Sequence, residues 1–326
     1  MDAPARRFLA LVVSVLLIAA AVIVARAFGG GPPDLTLVHA PGSAAPPRGR
    51  PSTAAATSAS PPSSAAIGPI YVIVMENKES SEVLGNLDAP FLNRLAAEYA
   101  VATSYTGVAH PSQPNYLALF SGSTQGVTDD GVHTITDAQT LAGQIEAAGR
   151  TWHVAAENIP DGCFTGSTAS GGPDGAGDYA RKHNPAISFG QIAGDPAECS
   201  RIVDFAHFDA DLGDFWLIVP NLCHDMHDCS IADGDAFLAR FVPTILDASS
   251  FKSDGVLFLT FDEGTSDAGG GGTVATLAIG PGAAAETASD AAYDHYSLLR
   301  TVEDAWGLPC LANACEARSM ADLLRH

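Results

Sequence analysis

Basic residues are scarce in this sequence. The 326 residues include 16 Lys and Arg against 37 Asp and Glu, which gives a formal net charge of −21 at pH 7. The imbalance is strongest from residue 66 onward, where 11 Lys and Arg stand against 35 Asp and Glu. Nucleic acids and anionic lipid surfaces are bound through Lys and Arg. The composition therefore argues against both partners for this part of the chain.

Large apolar side chains are nearly absent from residues 29–66, where Gly, Pro, Ala, Ser and Thr prevail. Such a segment cannot bury enough surface to fold, so it is predicted to be a disordered linker. Residues 8–24, in contrast, are almost wholly apolar and follow Arg6 and Arg7. Residues 1–28 are therefore predicted to be either a signal peptide or an uncleaved signal-anchor helix. Either alternative places residues 67–326, one predicted domain, outside the cytoplasm, secreted or anchored to the membrane.

The six cysteines contain no C-x-x-C pair, which argues against a zinc-thiolate site. Export makes disulfides permissible, although spacing alone leaves the connectivity open. The local pairings are Cys163 with Cys199, Cys223 with Cys229, and Cys310 with Cys315.

Three continuous apolar runs, residues 70–75, 215–220 and 256–261, are typical of parallel strands covered on both faces. Each run ends on polar groups, and in open α/β sheets the carboxyl ends of parallel strands meet at one edge. Packed carboxylates repel one another unless a positive group lies between them, so a metal ion is expected there. The polar groups are Glu76 and Asn77, then Asn221, Asp225, His227 and Asp228, then Asp262 and Glu263.

The remaining pattern alternates strands with helices, which predicts a layered α/β fold. Residues 158–195 are rich in Gly, Asp, Ser and Pro and are predicted to be a long surface excursion that covers the site. Further helices are expected over residues 89–99, 137–148, 233–246 and 295–306, and further strands over residues 101–108, 151–156 and 274–279.

Ser112 stands where another helix is expected to begin. It is either an N-cap or a nucleophile activated by a neighbouring base or metal. The oxygen ligands Glu76, Asn77, Asp262 and Glu263 favour a hard cation such as Mg²⁺, Mn²⁺ or Ca²⁺. The segment 225–228 lies between two cysteines. It is either a disulfide-tied surface loop or a second part of the same site, in which its His and Asp side chains bind a metal or a phosphate group.

Several motifs, in this order along the chain, resemble the phosphoesterase family of bacterial acid phosphatases and phospholipases C, within the alkaline-phosphatase-like superfamily. H-P-S-Q-P-N-Y and D-H-Y-S-L-L-R-T-V-E-D are the most specific of them. The motifs are V-I-V-M-E-N at 72–77, H-P-S-Q-P-N-Y at 110–116, S-G-S-T-Q-G-V at 121–127, P-N-L-C-H-D-M-H-D-C at 220–229, T-F-D-E-G at 260–264 and Y-D-H-Y-S-L-L-R-T-V-E-D-A-W-G-L at 293–308.

The resemblance implies a three-layer α/β/α sandwich with a central, mostly parallel sheet. It also implies that Ser112 attacks phosphorus and forms a phosphoseryl intermediate. A divalent metal ion (Mg, Mn, Ca or Zn) is expected, and its number stays open: Asp-Glu-Gly at 262–264 replaces the Asp-His-Gly of two-zinc members, which favours one cation at least as much as two, whereas Asp225, His227 and His295 would hold either the phosphate or a second metal. The implied metal ligands are Glu76, Asn77, Ser112, Asp225, Asp262 and Glu263. His295 and His227 join Ser112 as catalytic residues, and His110, Asn115 and His133 are expected to bind substrate.

The function expected from these residues is an exported, metal-dependent, acid-phosphatase-like phosphomonoesterase that acts on a small phosphate ester. Two alternatives remain open: a phosphodiesterase or phospholipase C, and a catalytically inactive surface-binding protein on the same fold.

Overall fold

The computed structural model describes residues 67–171 and 177–325. The predicted leader, residues 1–28, and the predicted linker, residues 29–66, lie outside the described residues. The boundary of the domain at residue 67 therefore stays a prediction. Within the described part of the chain, no helix combines the length and the apolar character needed to cross a bilayer.

A mixed, eight-stranded sheet forms the centre of the fold, in the order β11-β2-β10-β9-β1-β8-β4-β7. Two small two-stranded sheets, β12 with β3 and β5 with β6, lie apart from it. The strands are β1 (Ile70–Met75), β2 (Ala100–Ala102), β3 (Tyr105–Thr106), β4 (Trp152–Ala156), β5 (Thr168–Ala169), β6 (Tyr179–Ala180), β7 (Ile202–Val203), β8 (Phe215–Val219), β9 (Val256–Phe261), β10 (Thr276–Ile279), β11 (Ala288–Ser289) and β12 (Tyr293–Asp294).

The three apolar runs of the sequence are the three central strands. β1 lies between β8 and β9 and is parallel to both. β4 and β7 continue the parallel half, whereas β10 runs antiparallel to β9 and β2. Every residue of β1, β8 and β9 is buried, because helices cover both faces of this region.

The helices form two groups. α3 contacts α4 and α8, whereas α2 contacts α7. Leu119, Leu298 and Val302 of the first group pack over Val72 and Leu217 of the sheet. This is the predicted α/β/α sandwich. The helices are α1 (Ser80–Val83), α2 (Pro90–Glu98), α3 (Ser112–Ser121), α4 (Leu141–Ala147), α5 (Gly190–Ala193), α6 (Pro196–Cys199), α7 (Ile231–Leu246) and α8 (His295–Trp306).

Two predicted elements are shorter than expected. The predicted helix over 137–148 begins only at Leu141, because the Thr140 hydroxyl caps it by accepting a hydrogen bond from the Gly143 amide at 3.2 Å. The predicted strand over 101–108 divides into β2 in the main sheet and β3, which pairs with β12.

The prediction of a surface excursion over residues 158–195 is wrong for its central part. Tyr179, Ile187 and Phe189 are buried, and so are Arg181 and His183. Short 3₁₀ helices over Arg181–His183 and Ala186–Ser188 turn these side chains into the protein. Large apolar residues need a core to cover them, and this segment supplies part of that core.

All six cysteines form disulfides, so a zinc-thiolate site is excluded. The pairs are Cys163–Cys199, Cys223–Cys229 and Cys310–Cys315, which confirms the local pairing. Three disulfides are typical of a protein that folds in an oxidising compartment outside the cytoplasm.

Candidate functional site

The carboxyl ends of the central strands bring the acidic residues together. Glu76 follows β1 and Asp262 follows β9, and the pairing of Met75 with Phe261 places the two side by side. Asp225 joins them because its backbone oxygen accepts a hydrogen bond from the Glu76 amide at 2.9 Å. The side chains of Glu76, Asp225 and Asp262 are fully buried. The acidic groups therefore meet at one edge of the sheet.

Ser112 begins α3, and its hydroxyl points at the carboxyl groups of Glu76 and of Glu263, the residue after Asp262. Its Oγ lies 3.1 Å from Oε2 of Glu76 and 3.2 Å from Oε1 of Glu263. The N-cap of α3 is Pro111, and the serine makes no capping hydrogen bond, so the N-cap alternative is wrong. A hydroxyl carries one hydrogen and cannot donate to both carboxyl groups at once.

His183 and Tyr116 complete the surroundings of Glu76, and sequence reasoning assigned neither a role. The Tyr116 hydroxyl donates a hydrogen bond to Oε1 of Glu76, and the His183 ring stacks on Tyr116 at 5.2 Å between centroids. Nε2 of His183 lies 3.3 Å from Oε1 of Glu76, and its Nδ1 lies 3.4 Å from Oδ2 of Asp225. The signal that could have located His183 is the apolar content of residues 179–189, which marks a buried segment.

Burial controls the protonation of this cluster. Burial, together with repulsion from Asp262 and Asp225, raises the pKa of Glu76 well above its ordinary value. Burial and the neighbouring Glu263 raise the pKa of Asp262 to about 7, and burial raises that of Asp225. Burial also lowers the pKa of His183, so this imidazole is neutral. The raised pKa values mean that ionised Glu76, Asp225 and Asp262 need a positive charge nearby, which the neutral His183 does not supply.

Several buried polar atoms of the cluster make no hydrogen bond within the described residues. Oδ2 of Asp225, Oδ2 of Asp262 and Nε2 of His183 accept or donate no hydrogen bond within the described ranges. Glu76, His183 and Asp225 can each direct one ligand atom to within 4.8 Å of the others. Carboxylate oxygens with one imidazole nitrogen suit Mn²⁺ or Zn²⁺, and carboxylates alone suit Mg²⁺. The donor set therefore fits a divalent cation.

Glu263 and Asn77 make contacts that join the turn after β1 to the turn after β9. One oxygen of Glu263 faces Ser112, and the other contacts Nδ1 of His110. Nε2 of His110 lies 3.0 Å from the backbone oxygen of Ser266, so both nitrogens of this predicted substrate-binding residue have partners. The backbone amide of Asn77 donates to Oδ1 of Asp262 at 3.1 Å. These contacts hold the two acidic turns against each other.

Glu79 fastens the loop that follows Glu263. Its carboxylate accepts hydrogen bonds from the amides of Thr265, Ser266 and Thr273, at 3.0, 2.8 and 3.1 Å. Gly272 lies against it with φ +79°, a conformation that L side chains rarely adopt. The loop is therefore fixed from the β1 side of the site.

His295 lies behind Asp262 and is fully buried. Its Nδ1 is 2.9 Å from the Tyr105 hydroxyl, and its Nε2 contacts the backbone oxygen of Asp262. Burial lowers the pKa of His295 to about 4. Because both ring nitrogens have protein partners, the structure gives this predicted catalytic residue the geometry of a positioning residue.

His227 reaches the cluster from the disulfide-tied loop. Its amide donates to Oδ1 of Asp225 at 2.7 Å, and its Nδ1 lies 2.6 Å from Oδ1 of Asp228. Its Nε2 lies 3.5 Å from Nζ of Lys182. The loop 223–229 is thus both a disulfide-tied loop and one side of the site.

Two of the predicted substrate-binding residues lie in other surroundings. The Asn115 side chain accepts from the amides of Val108 and Ala109, at 2.9 and 3.2 Å, and so fastens the turn before Ser112. Nε2 of His133 lies 2.7 Å from Oδ1 of Asp129 on the surface. Neither side chain has a described contact with the acidic cluster.

The fold is similar to those of a solved protein of the alkaline phosphatase superfamily and of a lipoteichoic acid synthase. A superfamily member from Vibrio parahaemolyticus superposes with a TM-score of 0.52 at 11% identity, covering 80% of this chain and 72% of that one. A lipoteichoic acid synthase from Listeria monocytogenes gives a TM-score of 0.53 at 10% identity, covering 75% of this chain and 73% of that one. These likenesses concern the fold alone.

The sequence comparisons define the family more narrowly. The model of the phosphoesterase family matches residues 71–309, and the chain belongs to this family. It is 34% identical over 264 residues to a phosphatidylinositol-3-phosphatase of Mycobacterium tuberculosis, covering 78% of this chain and 82% of that protein. It is 31% identical to an acid phosphatase of Aspergillus fumigatus over 67% of this chain, but spans only 50% of that protein. The chain is accordingly a hydrolase that acts on phosphate ester bonds.

Proposed function

We propose that the chain is an exported, metal-dependent, acid-phosphatase-like phosphomonoesterase in which Ser112 is the nucleophile. The observation that carries the proposal is the contact of a buried serine hydroxyl with Glu76 and Glu263, at 3.1 and 3.2 Å. A hydroxyl is a weak nucleophile unless a base or a metal lowers its pKa. The surroundings of Ser112 supply carboxylates that suit either purpose.

The cation is assigned to the acidic cluster. Glu76, Asp262, Asp225 and the Ser112 oxygen would hold it, and His183 adds a nitrogen ligand that the sequence did not suggest. Glu263 and Asn77 stay in the proposal as further ligands, although Glu263 has protein partners on both oxygens. When bound, a divalent cation supplies charge stabilisation for a phosphoryl oxygen and for the serine oxygen.

The phosphoryl group is transferred first to Ser112 and then to water. Oγ of Ser112 bonds to phosphorus as the ester P–O bond breaks, the serine proton passes to the Glu263 carboxylate at 3.2 Å, and the departing alkoxide takes a proton from solvent. A water oxygen then bonds to phosphorus as the bond between phosphorus and the Ser112 oxygen breaks. Phosphate leaves, the water gives a proton to solvent, and Ser112 recovers the proton held by Glu263. His110 holds Glu263 in position throughout, and His295 holds the Asp262 backbone.

Ser112→Ala tests the nucleophile. The variant is expected to lose at least about a thousandfold in kcat for a phosphomonoester, even when it is assayed with saturating metal, and to keep the fold of the wild type by circular dichroism. Ser123→Ala is the matched control, since Ser123 lies beyond the end of α3 and is expected to leave turnover unchanged. Turnover by Ser112→Ala at the wild-type rate contradicts the proposal.

A substrate panel separates the alternatives. Comparing p-nitrophenyl phosphate, bis-p-nitrophenyl phosphate, phosphatidylcholine and a phosphatidylinositol phosphate tests monoesterase against phosphodiesterase or phospholipase C activity. The phosphatidylinositol phosphate is included because of the name of the mycobacterial relative. The proposal expects the monoesters to react fastest. Binding without turnover of any ester would favour the inactive surface-binding alternative.

A further inference from the structure

One ammonium group lies at the mouth of the acidic cluster and has no part in the reaction described so far. Lys182 comes from the 3₁₀ helix Arg181–His183, directly before the buried His183. Its Nζ donates to Oδ2 of Asp130 at 3.0 Å and lies 3.5 Å from Nε2 of His227. Its side chain is 19% exposed, so it reaches solvent while its position is fixed.

Asp130 connects this ammonium to the residue after the nucleophile. Its Oδ1 accepts a hydrogen bond from the Gln113 amide at 3.0 Å, and its Oδ2 accepts from Lys182. A single carboxylate group therefore separates Nζ of Lys182 from the backbone at the start of α3. The loop that carries Asp130 thus links the ammonium to the amide of the residue that follows Ser112.

The contacts of the Lys182 ammonium leave one of its N–H groups free to donate to a ligand. An ammonium has three N–H groups, of which Asp130 accepts one. Nε2 of His227 lies 3.5 Å from Nζ and faces at most one further N–H. Among the described residues the third N–H has no partner, and the nearby Arg181 guanidinium is directed elsewhere, to the backbone oxygens of His133 and Ile187.

We propose that Lys182 binds a non-bridging oxygen of the substrate phosphoryl group and makes the site selective for dianionic monoesters over diesters. The inference rests on the proposed phosphatase function. A fixed ammonium attracts a phosphoryl group in proportion to its charge, and the monoester carries one more negative charge than the diester. A diester also replaces one of the anionic oxygens by an ester oxygen, which is a poorer acceptor for N–H. In a chain of net charge −21, this local contact opposes the long-range repulsion of anions.

The test compares Lys182→Met and Lys182→Arg in the metal-loaded protein. Lys182→Met is expected to lower kcat/KM for p-nitrophenyl phosphate about ten- to a hundredfold. The loss in kcat/KM for bis-p-nitrophenyl phosphate is expected to be smaller by a factor of about three or more. Lys182→Arg keeps the charge and is expected to retain most of the monoester preference. Lys252→Met is the control, because Lys252 is exposed and pairs only with Asp247 at 3.5 Å.

Affinity for inorganic phosphate, measured by calorimetry in the Ser112→Ala background, separates binding from turnover. Adding Lys182→Met is expected to weaken phosphate binding about tenfold or more, while adding Lys252→Met leaves it unchanged. Unchanged phosphate affinity, or equal losses for the monoester and the diester, would overturn the assignment of Lys182. Neither result bears on Ser112, whose role is decided by its own alanine variant. If Lys182→Met fails to fold, Lys182→Gln replaces it in both measurements.

Discussion

Oγ of Ser112 lies 3.1 Å from Oε2 of Glu76, although 36 residues separate the two in the sequence. Glu76 terminates the central strand β1, and Ser112 begins a helix that packs against the same face of the sheet as α8. The contact therefore depends on the parallel arrangement of β9, β1 and β8, which fixes where each strand ends.

His183→Gln is expected to lower the metal content and the kcat of the enzyme by about ten- to a hundredfold. The glutamine cannot offer an imidazole nitrogen to the site that Glu76 and Asp225 share with His183. Elemental analysis of the purified protein and steady-state kinetics measure the two effects. His153→Gln is the control, because His153 of β4 stacks on Trp216 of β8, with 4.6 Å between the ring centroids. This variant is expected to keep its full metal content. Equal metal content in both variants would exclude His183 as a ligand.

Chelation is expected to abolish turnover reversibly and to lower the melting temperature. A cation that binds the folded state and not the unfolded chain stabilises the fold, so its removal from Glu76, Asp225 and Asp262 lowers the free energy of unfolding. Activity assays and thermal melts before and after dialysis against a chelator, followed by addition of Mg²⁺, Mn²⁺, Ca²⁺ or Zn²⁺ one at a time, identify the metal. A chelated protein that keeps its full activity would remove the cation from the mechanism.

Asp235→Ala is expected to reduce the free energy of unfolding by about 2–3 kcal/mol. The Asp235 carboxylate, buried in α7, accepts hydrogen bonds from the amides of Phe91 and Leu92 at 2.9 and 2.8 Å. These amides lie in the first turn of α2 and have no partner within that helix. Denaturant unfolding measures the loss. Asp247→Ala, at an exposed position, is expected to change stability by less than about 0.5 kcal/mol.

Glu303 is expected to make the protein less stable as the pH rises from about 4.5 to 7. Burial raises the pKa of Glu303 to about 7, and its Oε2 has no partner within the described ranges. The folded state therefore keeps a proton that the unfolded state releases near its ordinary pKa of about 4.3, so stability falls through this window and levels off above it.

Glu303→Gln is expected to remove this fall, on the order of 2 kcal/mol, and to be more stable than the wild type at pH 8. Denaturant unfolding at pH 5 and pH 8 measures the difference. Asp304→Asn is the neighbouring control, because Asp304 is partly exposed and pairs with Arg300 at 2.8 Å on the helix surface. An unchanged pH dependence in Glu303→Gln would show that another group is responsible.

Strand ends were the part of the site that the sequence could predict. A buried parallel strand is a continuous apolar run, so the positions of Glu76 and Asp262 follow from where those runs stop. The same reasoning gave the fold class and α8, whose bounds match the prediction. A helix was also expected to begin at Ser112, with Ser112 as its N-cap. The helix does begin there, but its N-cap is Pro111.

The apolar content of residues 179–189 could have marked the segment of His183 and Lys182 as buried, but the contacts of these residues and of Tyr116 depend on tertiary packing. His183 and Lys182 lie in a segment of short 3₁₀ helices, which have no hydrophobic period to read. The catalytic role of His295 stays a prediction. A sequence shows that a histidine begins a helix, but not that Tyr105 and the Asp262 backbone contact its two nitrogens.

The covalent intermediate provides the most direct test. A metal-loaded sample is mixed with a phosphomonoester, quenched in acid within the first turnover, digested, and analysed by mass spectrometry. The account predicts one phosphoryl group on the peptide that contains Ser112, and none in Ser112→Ala. Rapid turnover without any phosphorylated peptide, or with the phosphoryl group on another residue, would contradict it.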